Sequence, residues 1–323
     1  MDYAIERVEL YYYRLPLLKP LRLSAALLTE RESLLLKWTL NGRCYWTEIA
    51  PLPGYSRESL AEADQQVRAF FKADLNWTSN TLSRRLATFT GALSPSVEMG
   101  LAALFLELEN NYFGIPKLCG LLTESDLSEG VFKFPTYSAV TKVKVGLHPI
   151  EEDIERIRRI CSQNNFRGKL RLDANQQWTP DFIDKLCANI DITRVQWIED
   201  PLRQADDYER WEQFSKIPFA YDETLFQSDR TVRKVAGLVA LILKPSLLGM
   251  ARTLALLEWA QQQQINRVIS SGFETPIGLR ALYALANKTA RTEYHGLDTL
   301  KYFINHQSEH PIEEYLHFEQ QLL

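Results

Sequence analysis

Apolar and polar positions follow two regimes along the chain. From Tyr3 to Leu17 they alternate in a stretch rich in Val, Leu and Tyr, which predicts a strand. Ser33 to Trp46 alternates in the same way about Asn41-Gly42, which predicts a hairpin. The breaker-rich loop Ala50-Pro51-Leu52-Pro53-Gly54-Tyr55-Ser56 follows. Leu60, Ala63, Val67, Phe70 and Phe71 then recur at helical spacing, so a helix is expected over Arg57–Leu75 with Ser56 as its cap. Val97, Leu101, Leu104, Phe105 and Leu108 place a second helix at Ser96–Asn110, where the next domain opens.

Beyond residue 117 short strand-like runs recur, each followed by a helical stretch: Ala139–Gly146, Lys169–Ala174, Arg194–Glu199, Phe219–Asp222, Val239–Lys244, Arg267–Ser271 and Glu293–Leu297. Lys144, Asp173, Glu199, Asp222, Lys244 and Ser270 mark the strand ends at steps of 29, 26, 23, 22 and 26 residues, the rhythm of parallel βα units. With Lys117–Leu122 in front there are eight strands, the number that closes a TIM-type barrel. A doubly wound open sheet competes, but no strand is followed by G-x-G-x-x-G or G-x-x-x-x-G-K. The expected fold class is α/β, a barrel preceded by a small α+β unit.

Composition removes several function classes. With 37 Lys+Arg against 41 Asp+Glu, a formal charge of −4, the chain lacks the basic excess of a nucleic-acid binder. The apolar run Ala236 to Leu243 has eight residues, against about 18 for a membrane span. Met1-Asp2-Tyr3-Ala4-Ile5-Glu6 lacks both the basic and the apolar parts of a signal peptide. Cys44, Cys119, Cys161 and Cys187 form no C-x-x-C, so reduced thiols in a cytoplasmic protein are expected.

Alternation assigns the polar residues to faces. In Thr141-Lys142-Val143-Lys144-Val145-Gly146 the valines share one face and the lysines the other. On an isolated sheet this reads as a solvated lysine face; in a barrel the valines pack on helices and Lys142 and Lys144 aim into the mouth. Adjacent cations and burial lower a lysine pKa from about 10.4 toward 7–8, which suits a base. Asp173, Glu199 and Asp222 end three consecutive strands and converge on the same mouth. Each acid taken alone also reads as a cap for the following helix; together they need a cation, and oxygen ligands without His or Cys select Mg²⁺. Alternation turns Asp200 and Glu223 toward the helices. Lys244 follows the apolar run across the barrel from the lysine pair. Ser270, Ser271 and Gly272 form a small-residue turn that reads either as an ordinary βα turn or as backbone N–H groups for a carboxylate.

Lys142-Val143-Lys144, the Asp173/Glu199/Asp222 set and Lys244 resemble the enolase superfamily, in its muconate-lactonising-type branch. Glu48–Ser56 (EIAPLPGYS), Ala139–Gly146 (AVTKVKVG), Arg171–Asn175 (RLDAN) and Gly296–Leu300 (GLDTL) resemble the o-succinylbenzoate synthase family within that branch. The resemblance implies a modified TIM (β/α) barrel with an N-terminal α+β capping domain: cap over residues 1–96, barrel over 97–300, and a tail over 301–323 that returns to the cap. It implies Mg²⁺ on the three carboxylates and a small-molecule carboxylate substrate, 2-succinyl-6-hydroxy-2,4-cyclohexadiene-1-carboxylate, dehydrated in menaquinone biosynthesis. Lys144 is then the base, Lys142 tunes it, and Lys244 supports charge from the opposite face. Arg171 and Asn175, flanking Asp173, join Ser270, Ser271 and Gly272 as the substrate-side set, and the cap loop between Leu23 and Arg31 covers the site. A monomer or weak homo-oligomer is expected.

Two departures stand out: Gly272 interrupts an expected serine-rich turn, and Gly296-Leu297-Asp298-Thr299 replaces the acidic pair that dipeptide epimerases carry near the eighth strand. The competing functions are an N-acylamino-acid or dipeptide racemase using Lys144 and Lys244 as opposed bases, and a catalytically idle barrel that only binds. Nucleophilic hydrolysis is unsupported. There is no G-x-S-x-G, and His148, His295, His306, His310 and His317 join no Ser/Asp pattern.

Overall fold

The computed structural model describes residues 2–23, 27–72, 76–109, 114–122, 138–226, 232–304 and 310–323 of the 323-residue chain. Strands β1 (Ile5–Arg22), β2 (Leu27–Leu40) and β3 (Arg43–Ile49) form an antiparallel meander. Leu40 pairs with Arg43 across a two-residue turn in which Asn41 and Gly42 have φ of 47° and 69°, the left-handed values such a hairpin requires. The C-terminal strand Leu316–Gln321 pairs with β1, Tyr13 opposite Leu316, and completes a four-stranded sheet.

Three helices cover one face of that sheet: α1 (Leu60–Phe71), α2 (Ser79–Thr88) and α3 (Pro95–Leu108). Leu34, Leu36 and Trp38 pack beneath them with Val67, Phe70 and Leu101, whereas Leu35, facing the other way, packs with Leu52 and with Leu247 and Ile277 of the barrel. Both faces of the sheet are therefore buried at β2. Helix α1 starts three residues later than its spacing suggested. Its cap is Ser59, in a capping box with Glu62, while the Ser56 hydroxyl accepts the Leu52 N–H at 2.8 Å and closes the proline turn. Its expected end at Leu75 lies outside the described residues. Helix α2 has no sequence-based counterpart: it is short and largely polar, and its signal is the Thr78/Thr81 capping box.

The second sheet runs in chain order: β4 (Gly120–Leu122), β5 (Val140–Lys144), β6 (Lys169–Asp173), β7 (Val195–Glu199), β8 (Phe219–Tyr221), β9 (Leu238–Leu243) and β10 (Asn266–Ile269). All neighbouring pairs are parallel. Between them lie α4 (Ile150–Cys161), α5 (Pro180–Asn189), α6 (Pro245–Leu248) and α7 (Met250–Gln262), and α8 (Pro276–Thr289) follows β10. Val143, Leu170, Leu172, Ile198, Leu241 and Leu243 point out to these helices, while Trp197, Ala220, Ala240, Ile242 and Val268 fill the interior. Helix α3 serves both units, with Val97, Leu101 and Leu104 in the cap core and Met99 and Ala103 in the barrel core. Among the described residues no helix is long and apolar enough to cross a membrane.

The eighth stave differs from the strand expected at Glu293–Leu297. It is reduced to two parallel bridges, Leu118 with His295 and Ser270 with Gly296. A side chain replaces part of the ladder: the Ile269 N–H donates to His295 Nδ1 at 3.0 Å, and Nε2 faces the Ala290 carbonyl at 3.1 Å. Those roles require a neutral imidazole protonated on Nε2, and burial pushes His295 down to about 4. An unfolded histidine takes up its proton near pH 6.5, so stability contributed at neutral pH is lost as pH falls from about 6.5 to 4, by roughly 3 kcal/mol at the limit. The urea-midpoint gap between wild type and His295→Asn should therefore shrink between pH 7 and pH 4.5. A constant gap removes this account of the closure.

Candidate active site

The parallel register brings the strand-end residues to one level, Lys144 beside Asp173 and Asp173 beside Glu199. One oxygen each from Asp173, Glu199 and Asp222 lies within 4.8 Å of the others, and all three side chains are buried. Asp173 Oδ1 is buried without a hydrogen-bond partner among the described residues. Three hard oxygen donors, one of them an orphaned acceptor, fit a divalent cation.

Lys142 Nζ stands 2.7 Å from Asp173 Oδ2, 2.6 Å from Glu199 Oε2 and 4.0 Å from Asp222 Oδ2. Burial alone would lower this ammonium's pKa, but the three carboxylates outweigh it and hold the group charged. Lys244 Nζ meets both oxygens of Asp222 at 2.7 Å and lies 5.3 Å from the centre of the Phe226 ring. Burial, with the Glu223 charge, pushes Asp222 up from the usual carboxylate range against the pull of Lys244 and Lys142. Lys144, half-buried on the same inward face as Lys142, has no hydrogen-bond or ion-pair partner among the described residues. Lys142 and Lys244 are engaged by acids; Lys144 keeps its nitrogen available.

The strand end carrying Lys144 is fixed from behind. Gly146 has φ of 80°, its N–H donates to Asp153 Oδ2 at 2.7 Å, and a Cβ there would come within 2.9 Å of the Ala174 carbonyl. Arg171 lies one layer below Asp173, level with Trp197 in the β6–β7 register. Its guanidinium is 4.0 Å from the Trp197 ring centre and bonds Gln196 Oε1 and the Tyr294 carbonyl, and the side chain is 1% exposed. Asn175 donates to Glu223 Oε1 at 2.7 Å. Glu223 thus stays at the mouth instead of turning to the helices, because a short 3-10 turn, Glu223–Phe226, replaces the extended geometry that alternation assumed. Asp200 does turn away and takes the Thr224 N–H and hydroxyl and the Tyr208 hydroxyl.

The turn after β10 is already organised by an acid of its own chain. The Gly272 N–H and the Ser271 hydroxyl both donate to Glu274 Oε2 at 2.7 Å, so of the two sequence readings, an ordinary βα turn or backbone N–H groups for a carboxylate, the Gly272 donor fits the first. Ser270 extends the barrel closure, its N–H on Leu243 O and its hydroxyl on Gly296 O. Asp298 accepts from the Leu121 N–H and from Lys301. His148 sits near Glu152 on the exposed side. Two buried acids, Glu48 and Glu274, were missed as functional candidates. Their only sequence trace is an acid standing inside an apolar or small-residue stretch.

Family models place the chain. The model described as "MenC, N-terminal domain" matches residues 5–108, and "Enolase C-terminal domain-like" matches residues 136–321. An o-succinylbenzoate synthase of Vibrio cholerae is 33% identical over 309 residues, covering 91% of this chain and 89% of that protein. The crystal structure of an o-succinylbenzoate synthase from Thermosynechococcus elongatus, complexed with Mg in its active site, is similar at a TM-score of 0.68 and 21% identity, over 90% of this chain and 92% of that one. A dipeptide epimerase from Enterococcus faecalis, complexed with Mg and L-Leu-L-Tyr, is similar at 0.77 and 19%, over 94% and 93%. At these identities the two structures speak to fold alone.

Proposed function

Because the chain belongs to the MenC family of o-succinylbenzoate synthases in the enolase superfamily, we propose that it converts 2-succinyl-6-hydroxy-2,4-cyclohexadiene-1-carboxylate to 2-succinylbenzoate and water, with Mg²⁺, in menaquinone biosynthesis. The observation that carries the mechanism is an unengaged lysine, Lys144, beside a buried carboxylate triad. When bound, Mg²⁺ supplies positive charge against the ring carboxylate, stabilising the electrons released as the α-proton leaves. Asp173, Glu199 and Asp222 would hold it.

Lys144 Nζ takes the α-proton from C1. The electron pair left behind forms the C1–C6 double bond as the C6–O bond breaks. The same ammonium returns its proton to the departing hydroxyl, so water leaves and Lys144 ends as it began. Lys142 keeps Asp173 and Glu199 in position through its ion pairs. Lys244 lies across the mouth on Asp222, where its charge faces the ring, a contact of about 0.5–2 kcal/mol. Asn175 borders the substrate, the donors of Ser270 to Gly272 stay engaged within the protein, and Arg171 supports the layer beneath. The aromatic product makes this elimination strongly downhill.

The proposal includes the partition into a cap over 1–96, a barrel over 97–300 and a returning tail over 301–323, and a cytoplasmic setting. The partition is supported by the C-terminal strand on the cap sheet. The test is ultraviolet detection of aromatic product from the cyclohexadiene substrate. Product should form with Mg²⁺, stop on chelation and return on titration. Undiminished turnover in chelator, or proton exchange on N-acylamino acids without aromatisation, overturns the proposal.

A further inference from the structure

Glu274 is 3% exposed and lies outside the triad, yet its carboxylate joins two strand ends. Oε2 accepts the Ser271 hydroxyl and the Gly272 N–H at 2.7 Å, on the turn after β10. Oε1 accepts the Ser246 hydroxyl at 2.5 Å. Ser246 sits two residues beyond Lys244, in the single helical turn that begins as β9 ends. The Lys244 carbonyl accepts the Leu247 and Leu248 N–H groups, so the backbone carrying Lys244 and the hydroxyl held by Glu274 belong to one rigid turn.

The cap grips the same structure from the other side. Arg31, 1% exposed, donates Nε to the Phe273 carbonyl and its other nitrogens to the Glu32, Ala50 and Pro51 carbonyls. It therefore ties a residue with φ of 60° to two stretches of the cap. Glu48 Oε2 accepts the Thr275 N–H and hydroxyl at 3.0 Å and the Gly278 N–H at 2.9 Å. Thr275 itself provides no side-chain cap, so the first turn of α8 is capped by an acid from the other domain. Both oxygens of Glu274 and the Oε2 of Glu48 are engaged, while Glu48 Oε1 has no partner among the described residues, so the rigidity of the array rests on the Glu274 and Arg31 bonds.

We propose that Glu274 is a positioning residue for Lys244, acting through Ser246, and that the cap maintains it through Arg31 and Glu48. This rests on the reading of Lys244 as a group that faces the substrate. Docking of the cap and placement of the lysine are then one event, since the residues that seat the cap also hold the acid that fixes the Lys244 turn.

The experiment is a double-mutant cycle on the Mg²⁺-loaded full chain, with Ser246→Ala, Glu274→Gln and the pair, each with its thermal midpoint. Each single variant should lower kcat about 10-fold with KM within about threefold, and the pair should be no worse than the poorer single. Glu48→Gln should move kcat in the same direction. Unchanged kcat in Ser246→Ala, or losses that multiply in the pair, overturns the proposal. If Glu274→Gln fails to fold, Ser246→Ala alone decides by its kcat and KM. Lys244→Ala separates the premise: full turnover there removes the reading of Lys244 and the proposal with it, whereas an inactive Lys244→Ala beside a silent Ser246→Ala removes the positioning role alone.

Discussion

Lys144→Ala should lose turnover by about 10²–10⁴-fold, the range a positioned proton-transfer group contributes, while retaining its fold and its cation response. The separation is possible because Lys144 holds nothing else in place: no hydrogen bond or ion pair ties its ammonium among the described residues. Lys142 is the contrasting case. Its Nζ is within 2.7 Å of both Asp173 and Glu199, so Lys142→Ala leaves buried carboxylates unpaired and should destabilise the protein as well as slow it. Lys144→Arg should rescue little, because a guanidinium keeps its proton at any working pH and cannot act as a base. The measurements are single-turnover rates and thermal midpoints with Mg²⁺ present. Near wild-type turnover in Lys144→Ala would sink the assignment of the base.

The parts of this architecture set by period were legible from the chain. Two-residue alternation located Lys142 and Lys144 on one face and Val143 on the other, and the spacing of 22 to 29 residues located the strand ends. What was illegible depends on contacts between distant segments. Helix α2 shows little apolar period, since only Ser79 and Leu82 of it are buried. The eighth stave is reduced to two bridges where His295 Nδ1 takes the Ile269 N–H that a backbone ladder would bond. Alternation turns Glu223 toward the helices, and it fails there because a 3-10 turn breaks the extended geometry at the residue after Asp222. Gly272 seemed an open donor because the acid that fills the turn, Glu274, is oriented only once Ser246 and the cap are in place. Of the cap loop between Leu23 and Arg31, residues 24–26 lie outside the described residues.

Glu199→Gln should abolish both turnover and the stabilisation that Mg²⁺ gives the folded protein. Glu199 is 2% exposed and supplies one of three oxygens clustered within 4.8 Å, so no surface carboxylate can take its place. An amide oxygen is a weaker ligand for a hard cation and brings no charge. The remaining site has two carboxylates facing Lys142 and Lys244, a balance that no longer attracts a dication. Loss of an outer partner of a metal ligand already costs 10–100-fold in affinity, and loss of a ligand itself should exceed that. Wild type should gain about 2.7 kcal/mol at a cation concentration 100 times its dissociation constant, raising the thermal midpoint by roughly 5 °C. Under the same titration Glu199→Gln should show no rise. This readout needs no substrate. A variant with an unaltered midpoint shift would place the cation elsewhere, whatever its activity, and the triad would then be a set of ion-pair partners for Lys142 and Lys244.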